Sequence, residues 1–162
     1  MRDELVRLGG GAHALAAQLL GNSQDAADAV QDAFETVLTR PGAYDAGKGP
    51  LKPWFMRVVR NRCLDMLRRR RADSGAAPEL ADAGSGPERA AAEAQESLRL
   101  RRALAMLDRD KREIIVLRDY LDLSYAEIAA VLGVAPGTVM SRLHRARTAL
   151  KEVYYGDDQR AF

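Results

Sequence analysis

The sequence predicts an all-α protein with two small helical domains joined by a flexible acidic linker. Apolar residues recur at helical spacing in both halves of the chain, and no run shows the alternation of a β-strand. Between the halves, residues 72–97 lose this periodicity and become rich in Ala, Gly, Ser, Pro and acidic residues. We therefore expect one domain at residues 1–71 and another at 98–162, with the linker at 72–97.

Charge is distributed unevenly along the 162 residues, although the formal net charge is only +2. Residues 1–39 carry a net charge of −4, residues 40–71 of +8, residues 72–97 of −5 and residues 98–162 of +3. A block as basic as residues 40–71 is typical of a surface that binds a polyanion, or of a solvated helix face. The motifs elsewhere in the chain decide between these interpretations.

The composition excludes several classes of protein. No apolar run approaches the roughly 20 residues of a membrane span, and no signal-peptide pattern opens the chain. The single cysteine, Cys63, has no partner for an internal disulfide, which fits a reducing cytoplasm. His13 and His144 lack neighbours at metal-ligand spacing, and Gly9–Gly11 lack the Lys-Ser/Thr of a phosphate loop. We therefore expect a cytoplasmic protein with no metal, no cofactor and no catalytic activity.

Two helices are predicted in the first domain. From Asp25 to Thr39 the apolar residues form one stripe and the acidic residues lie opposite, with Asp25 as the candidate N-cap. A loop from Ala43 to Pro53 follows, and a second helix runs from about Trp54 to Arg71. The expected apolar side of this second helix consists of Phe55, Met56, Val59, Cys63, Met66 and Leu67.

The second domain begins with two predicted helices. The segment from Leu98 to Leu107 has leucines at helical spacing, and Asp108 or Asp110 is the candidate N-cap of the helix that follows. The residues expected to face inward from this next helix are Ile114, Ile115, Leu117 and Leu121.

A helix-turn-helix follows in the second domain. Ser124 and Glu127 form a capping box before a short apolar helix, and Gly133 supplies the left-handed residue that ends it. Pro136 then opens a longer helix that runs to about Val153. A capped short helix, a glycine turn and a longer polar helix are typical of DNA-binding proteins.

The helix that begins at Pro136 has two distinct sides. Four apolar residues lie within about 60° of one another on a helical wheel and are expected to dock on the preceding helix. They are Val139, Leu143, Ala146 and Leu150. The residues expected to face a major groove are Thr138, Met140, Ser141, His144 and Arg145. Arg142 and Arg147 flank the apolar stripe and suit phosphate contacts. Any surface helix collects arginines, but the cap, turn and stripe together favour DNA binding.

Two sets of motifs occur in the order found in a known family. The first, between His13 and Arg71, includes Asp25-Ala-Ala-Asp28-Ala-Val-Gln31-Asp32-Ala-Phe34 and Trp54-Phe-Met-Arg57-Val-Val-Arg60-Asn61. The second, between Leu104 and Leu150, includes Leu123-Ser-Tyr-Ala-Glu-Ile-Ala and Gly137-Thr-Val-Met-Ser-Arg-Leu-His-Arg-Ala-Arg147. With these motifs the chain resembles a bacterial sigma factor of the extracytoplasmic-function (ECF) group, which contains sigma regions 2 and 4.

The resemblance implies a role for the acidic helix of the first domain. In the family, this helix docks on the clamp helices of the β′ subunit of RNA polymerase. The matching residues are Asp28, Gln31 and Asp32, with Glu35 on the same face. An acidic patch suits a basic partner helix, chiefly through orientation and association rate. The alternative is a merely solvated face.

The resemblance also implies a role for the helix from Trp54 to Arg71, because its counterpart opens the −10 box of promoters. Melting needs cations for phosphates, a surface for unstacked bases and a pocket for a flipped base. We expect the pocket in the loop Tyr44–Leu51, a stacking surface or a core anchor at Trp54, and base-edge hydrogen bonds from Asn61. The expected phosphate-binding residues are Lys48, Lys52, Arg57, Arg60 and Arg68.

Taken together, the resemblance implies a sigma factor that binds core RNA polymerase and promoter DNA and initiates transcription, with an anti-sigma factor as a further partner. Met140 stands where the family often has Lys or Arg, and Pro50 and Pro53 stiffen the pocket loop, so the promoter sequence is left open. The alternatives are a stand-alone helix-turn-helix regulator and a sigma-like adaptor without DNA binding. The acidic helix argues against the first and the basic block against the second. A nuclease would need clustered carboxylates or a Lys/His pair, which the sequence lacks.

Overall fold

The computed structural model describes residues 1–40, 42–74 and 91–160 of the chain. Its elements are α1 (Arg2–Leu20), α2 (Ser23–Thr39), a 3-10 turn (Ala46–Lys48), α3 (Leu51–Ser74), α4 (Ala91–Ala105), α5 (Arg109–Ile115), a π-helical turn (Val116–Tyr120), α6 (Tyr125–Leu132) and α7 (Pro136–Arg160). No strand occurs in these ranges, and the predicted all-α fold class is confirmed. Most of the predicted linker, residues 75–90, lies outside the described residues.

Helix α1 contains the three consecutive glycines, Gly9–Gly11, in its middle. Each glycine in a helix interior costs about 1 kcal/mol relative to alanine, so tertiary packing must hold this helix together. Its buried side packs against α2 and α3 and consists of Leu5, Ala12, Leu15, Ala16, Leu19 and Leu20. The helix ends at Gly21, which has a left-handed φ of 77°.

Helix α2 begins two residues earlier than the sequence predicts. Asn22, and not Asp25, is the N-cap, because the Asn22 side chain accepts a hydrogen bond of 2.7 Å from the backbone N–H of Asp25. The Asp25 carboxylate instead pairs with Arg70 of α3 and accepts a bond from the Asn22 side chain. The predicted cap is therefore wrong by three residues, since both side chains have the oxygens that caps require.

Helix α3 starts at Leu51, three residues before the predicted start at Trp54. Pro53 falls in the first turn of the helix, where a missing N–H removes no helical hydrogen bond. The predicted apolar side is buried, with Met66 half-buried. The loop before α3 is therefore shorter than the sequence predicts.

Most helices of the second half begin at the expected signals, but α4 begins at Ala91, within the predicted linker, and ends at Ala105 instead of Leu107. Asp108 caps α5 by accepting a bond of 3.0 Å from the backbone N–H of Lys111. The capping box of Ser124 and Glu127 is present at the start of α6, and Gly133 ends that helix with a φ of 69°. Helix α7 begins at Pro136, as predicted, but runs beyond Val153 to Arg160.

The two halves of the chain share one hydrophobic core. Helix α1 contacts α5 and the π-helical turn, and α3 contacts α6. The buried Arg112 of α5 ties the halves together, since it donates to the carbonyl of Gln18 in α1 at 3.3 Å and to that of Leu107 at 2.5 Å. The second half of the chain therefore lies directly on the face formed by α1 and α3.

In the described part of the chain, no single helix combines the length and the hydropathy of a membrane span. The segments Tyr125–Leu132 and Pro136–Gly156, bent by 96° relative to each other, reach these values only when taken together.

Candidate nucleic-acid and partner interfaces

The acidic face of α2, which we define as Asp28, Gln31, Asp32 and Glu35, lies on the surface of the first half. Asp28 and Glu35 are exposed, and each accepts one long hydrogen bond of 3.4 Å from a glutamine on its own helix. Asp32 differs from them, because Arg62 of α3 donates to its carboxylate at 2.7 Å. The carboxylates that remain open to a basic partner are therefore those of Asp28 and Glu35.

The loop before α3 is ordered by two side chains. The Tyr44 hydroxyl donates to the carbonyl of Gly49 at 2.8 Å, and Asp45 accepts from the backbone N–H of Gly47 at 2.9 Å. The Tyr44 ring also lies against the half-buried Trp54, with 5.2 Å between the ring centroids. The predicted pocket loop and the predicted stacking residue are thus in contact and form one aromatic surface at the start of α3.

The predicted phosphate-binding cations fall into two groups. Lys48, Arg57 and Arg68 are exposed, although Arg68 pairs with Asp65 one turn earlier. Lys52 and Arg60, by contrast, are bound by the second half of the chain: Lys52 donates to the carbonyl of Leu121 and Arg60 to the carboxylate of Glu113. The base-reading candidate, Asn61, is exposed.

The ion pair between Arg60 and Glu113 is largely buried. The side chain of Glu113 is 3% exposed and that of Arg60 is 18% exposed. Burial raises the pKa of the Glu113 carboxyl, and the hydrogen bond from Arg60 opposes this rise. Burial, and then the negative charge of Glu113, raises the pKa of Cys63 to about 12. Cys63 is therefore a packed thiol and not a reactive one.

The exposed face of α7 carries most of the residues predicted to read DNA. Its apolar stripe is buried except for Leu150, which is half-buried. The exposed residues are Met140, Ser141, Arg142, His144, Arg145 and Arg147, and Thr138 is half-buried. The Ser141 hydroxyl donates back to the carbonyl of Thr138 at 3.1 Å. Arg147 is bound to Asp119 of the π-helical turn, with 3.1 Å between its Nε and a carboxylate oxygen.

The sequence pattern does not reveal several long-range contacts that shape these surfaces. Glu113, Asp119 and Leu121 contact predicted DNA-binding cations from distant positions in the chain. An acidic residue directly before the apolar run that begins at Ile114 was the one available signal for Glu113. Among the described residues, no three His, Cys, Asp or Glu side chains lie together as a metal site requires.

Two family models match the chain. The model for Sigma-70 region 2 matches residues 6–72, and the model for Sigma-70, region 4 matches residues 97–150. The acidic face, the loop and α3 as far as Ala72 therefore fall within the first match, and the exposed residues of α7 from Met140 to Arg147 fall within the second.

Curated relatives carry the same family name. The chain is 38% identical over 156 residues to the ECF RNA polymerase sigma factor SigE of Mycolicibacterium smegmatis, a match that covers 93% of this chain and 60% of SigE. It is 39% identical over 140 residues to SigM of Mycobacterium tuberculosis, covering 85% of this chain and 68% of SigM. It is 32% identical to EcfG of Rhodopseudomonas palustris, covering 100% of this chain and 89% of EcfG.

A solved structure has the same fold. The sigma factor RpoE of Bartonella quintana, determined in complex with the anti-sigma factor NepR, aligns with a TM-score of 0.77 at 29% identity, over 94% of each chain. The two family models, the curated relatives and the solved structure all indicate the same family. The chain belongs to the ECF RNA polymerase sigma factors of the Sigma-70 family.

Proposed function

We propose that this chain binds core RNA polymerase and directs promoter-specific initiation, with region 2 at residues 1–71 and region 4 at residues 98–162. The observation that carries the proposal is the occurrence of both sigma regions, in order, in a chain that also exposes an acidic helix and two cationic surfaces. The chain acts as a specificity subunit, in the cytoplasm, and catalyses no reaction of its own.

Docking on the polymerase uses the acidic face of α2. Asp28 and Glu35 present two exposed carboxylates on one side of a helix whose other side is buried in the core. Such an arrangement fits a basic helix of the β′ clamp, because complementary charge orients the encounter and raises the association rate. Asp32 contributes mainly through its pairing with Arg62, which holds α2 and α3 together.

Opening of the −10 element uses the loop and the basic side of α3. The Tyr44–Trp54 pair provides an aromatic surface for an unstacked base, and Asn61 provides an amide for a base edge. The phosphates are bound by the exposed Lys48 and Arg57. Lys52 and Arg60 join them once they are released from Leu121 and Glu113. Arg68 extends this cationic strip toward the end of α3.

Recognition of the −35 element uses α7. Its exposed residues in the first turns, Met140, Ser141, His144 and Arg145, face away from the core and suit the major groove. Arg142 and Arg147 contact the flanking phosphates, which position the helix without reading sequence. Thr138, half-buried at the start of α7, contributes to this surface.

An anti-sigma factor is the expected negative regulator. RpoE of Bartonella quintana was solved with the anti-sigma factor NepR, and CnrH, which is 28% identical over 96% of this chain, was solved with the cytosolic domain of CnrY. The shared fold supports a partner of this type for the present chain.

Run-off transcription tests the proposed function. Cognate core polymerase, genomic fragments of the source organism and the purified chain should give discrete transcripts that core alone does not give, and sequencing of their start sites should reveal a shared −35 and −10 pair. Absence of initiation on every template, with inhibitors removed, would reject the proposal. Tight, specific duplex binding without polymerase would instead favour the stand-alone regulator.

A further inference from the structure

Met140 is exposed on the side of α7 that we assign to the −35 element. It is 60% exposed, whereas the other apolar residues between Thr138 and Arg147 are buried in the core. Those buried residues are Val139, Leu143 and Ala146. Met140 therefore presents an apolar thioether side chain to the molecule that this face of α7 binds.

The N-terminal side of Met140 is open. The residue one turn earlier is Gly137, and a Cβ atom added there would have nothing within 4 Å. Ala135 and Pro136, which precede it, are exposed and carry neither a charge nor a polar side chain. The cations of α7 begin only at Arg142. The start of the helix is thus an uncharged, largely apolar surface, and it is the end of a recognition helix that contacts base edges.

The polar residues around Met140 contribute few free hydrogen-bond donors. The Ser141 hydroxyl donates its single proton to the carbonyl of Thr138 at 3.1 Å, and Thr138 itself is half-buried. His144 and Arg145 are exposed, but they lie one turn later in the helix. Met140 therefore dominates the exposed surface at the start of α7.

The major groove of DNA offers one apolar group, which is the C5-methyl of thymine. The other groups that distinguish base pairs there are hydrogen-bond donors and acceptors. A thioether placed over those polar groups would exclude water from them without replacing their hydrogen bonds. Placed against the thymine methyl it buries apolar surface on both sides, and the flexible methionine side chain can follow the shape of the base.

We propose that Met140 is a specificity-determining residue that recognises a thymine through its C5-methyl group. It thereby selects an A·T pair at the position of the −35 element that the start of α7 contacts. This inference rests on the proposed function of α7. Arg142 and Arg147 bind phosphates of any sequence, whereas Met140 discriminates between bases. One methyl group buried against the thioether changes the affinity about fourfold.

Deoxyuridine isolates this methyl group, because it pairs with adenine and keeps the O4 acceptor of thymine but carries hydrogen at C5. Holoenzyme is assembled from cognate core and the full-length chain, and its affinity for the promoter found by start-site sequencing is measured by fluorescence anisotropy. Each thymine of the −35 element, on either strand, is replaced in turn by deoxyuridine. The wild type should lose about fourfold in affinity at one thymine, and Met140→Ala should bind the thymine and uracil forms equally there.

Two further variants separate recognition by Met140 from a general effect of substitution. Met106→Ala is the matched control, since Met106 is 68% exposed but directly follows α4. It should keep the wild-type discrimination between thymine and uracil. Met140→Lys should instead favour guanine at the same position, because O6 and N7 of guanine accept hydrogen bonds from lysine. Circular dichroism establishes that each variant retains its helix content.

Four results would overturn the inference. They are a −35 element without thymine on either strand, a wild type indifferent to every uracil substitution, undiminished discrimination in Met140→Ala, and a Met140→Lys holoenzyme that still prefers thymine. In each case, initiation by the wild-type chain would leave the proposed function intact. If the wild-type chain initiates on no template, the proposed function is rejected, and this inference is rejected with it.

Discussion

Asp119 of the π-helical turn binds the guanidinium of Arg147 on α7 through both of its carboxylate oxygens. The hydrogen bonds from Arg147 to Asp119 raise the pKa of Arg147, which keeps its positive charge at any accessible pH. Because both side chains are more than 40% exposed, at 46% and 42%, the pair contributes at most about 1 kcal/mol to stability. The main consequence of the pair is that Arg147, a proposed phosphate-binding residue, lies beside the negative charge of Asp119.

Asp119→Asn should therefore strengthen binding to duplex DNA. The substitution removes one negative charge next to the DNA-facing helix and frees Arg147. The affinity for a nonspecific duplex should therefore rise several-fold at low salt. The slope of the logarithm of the binding constant against the logarithm of the salt concentration should steepen by about 1. Asp122→Asn is the matched control, since Asp122 has the same charge and is 91% exposed but lies 3.6 Å from Arg118 instead. Fluorescence anisotropy across a salt series gives both quantities. Equal gains in the two variants would show that Arg147 makes no phosphate contact.

Charge reversal on the acidic face should abolish polymerase binding without unfolding the chain. Asp28→Arg with Glu35→Arg alters two exposed carboxylates whose hydrogen bonds are long, so the melting temperature should stay near that of the wild type. Asp32 is left unchanged, because an arginine there would face Arg62. Co-elution with core polymerase should be lost in this variant. It should be retained in the control Asp3→Arg with Glu4→Arg, which makes an equal change in net charge on α1. Retained co-elution in both variants would reject the acidic face as the docking surface.

Tyr44→Phe should impair promoter opening more than stability. The change removes the hydrogen bond to the Gly49 carbonyl, worth about 1 kcal/mol, and keeps the ring that contacts Trp54. Open-complex formation, measured by permanganate reactivity of the −10 thymines, should fall several-fold at unchanged polymerase affinity. Tyr155→Phe, at an exposed residue far along α7, should leave it unaltered. A wild-type level of opening in Tyr44→Phe would show that the loop needs no such support.

Cys63 should resist modification in the folded chain. Its side chain is fully buried and its pKa is raised to about 12, so at pH 8 it holds roughly a thousandfold less thiolate than an exposed cysteine. A disulfide-exchange reagent should react with the thiol only after denaturant is added. Rapid stoichiometric reaction without denaturant would mean that the packing around α3 opens readily.

Local features of this structure follow directly from short stretches of sequence. The capping box of Ser124 and Glu127 and the left-handed Gly133 depend on neighbouring residues alone, and the sequence predicts both correctly. The buried stripe of α7 follows from spacing in the same way, because Val139, Leu143 and Ala146 recur at helical period.

Features that depend on distant residues could not be predicted in this way. Helix α1 contains Gly9–Gly11, whose low propensity gives no helical signal, and packing against α2, α3, α5 and the π-helical turn makes it a helix. The pairing of Arg60 with Glu113 joins residues 53 positions apart, so no local pattern reveals it. The roles assigned to the site residues stay predictions.

The contact between Tyr44 and Trp54 has a practical consequence. Trp54 is the sole tryptophan of the chain, so the indole emission of the whole protein arises beside the loop assigned to strand opening. Any event that changes the surroundings of that ring, whether a stacked base or a displaced tyrosine, is reported optically without a label. The protein thus carries a built-in fluorophore at the point where the double helix would first come apart.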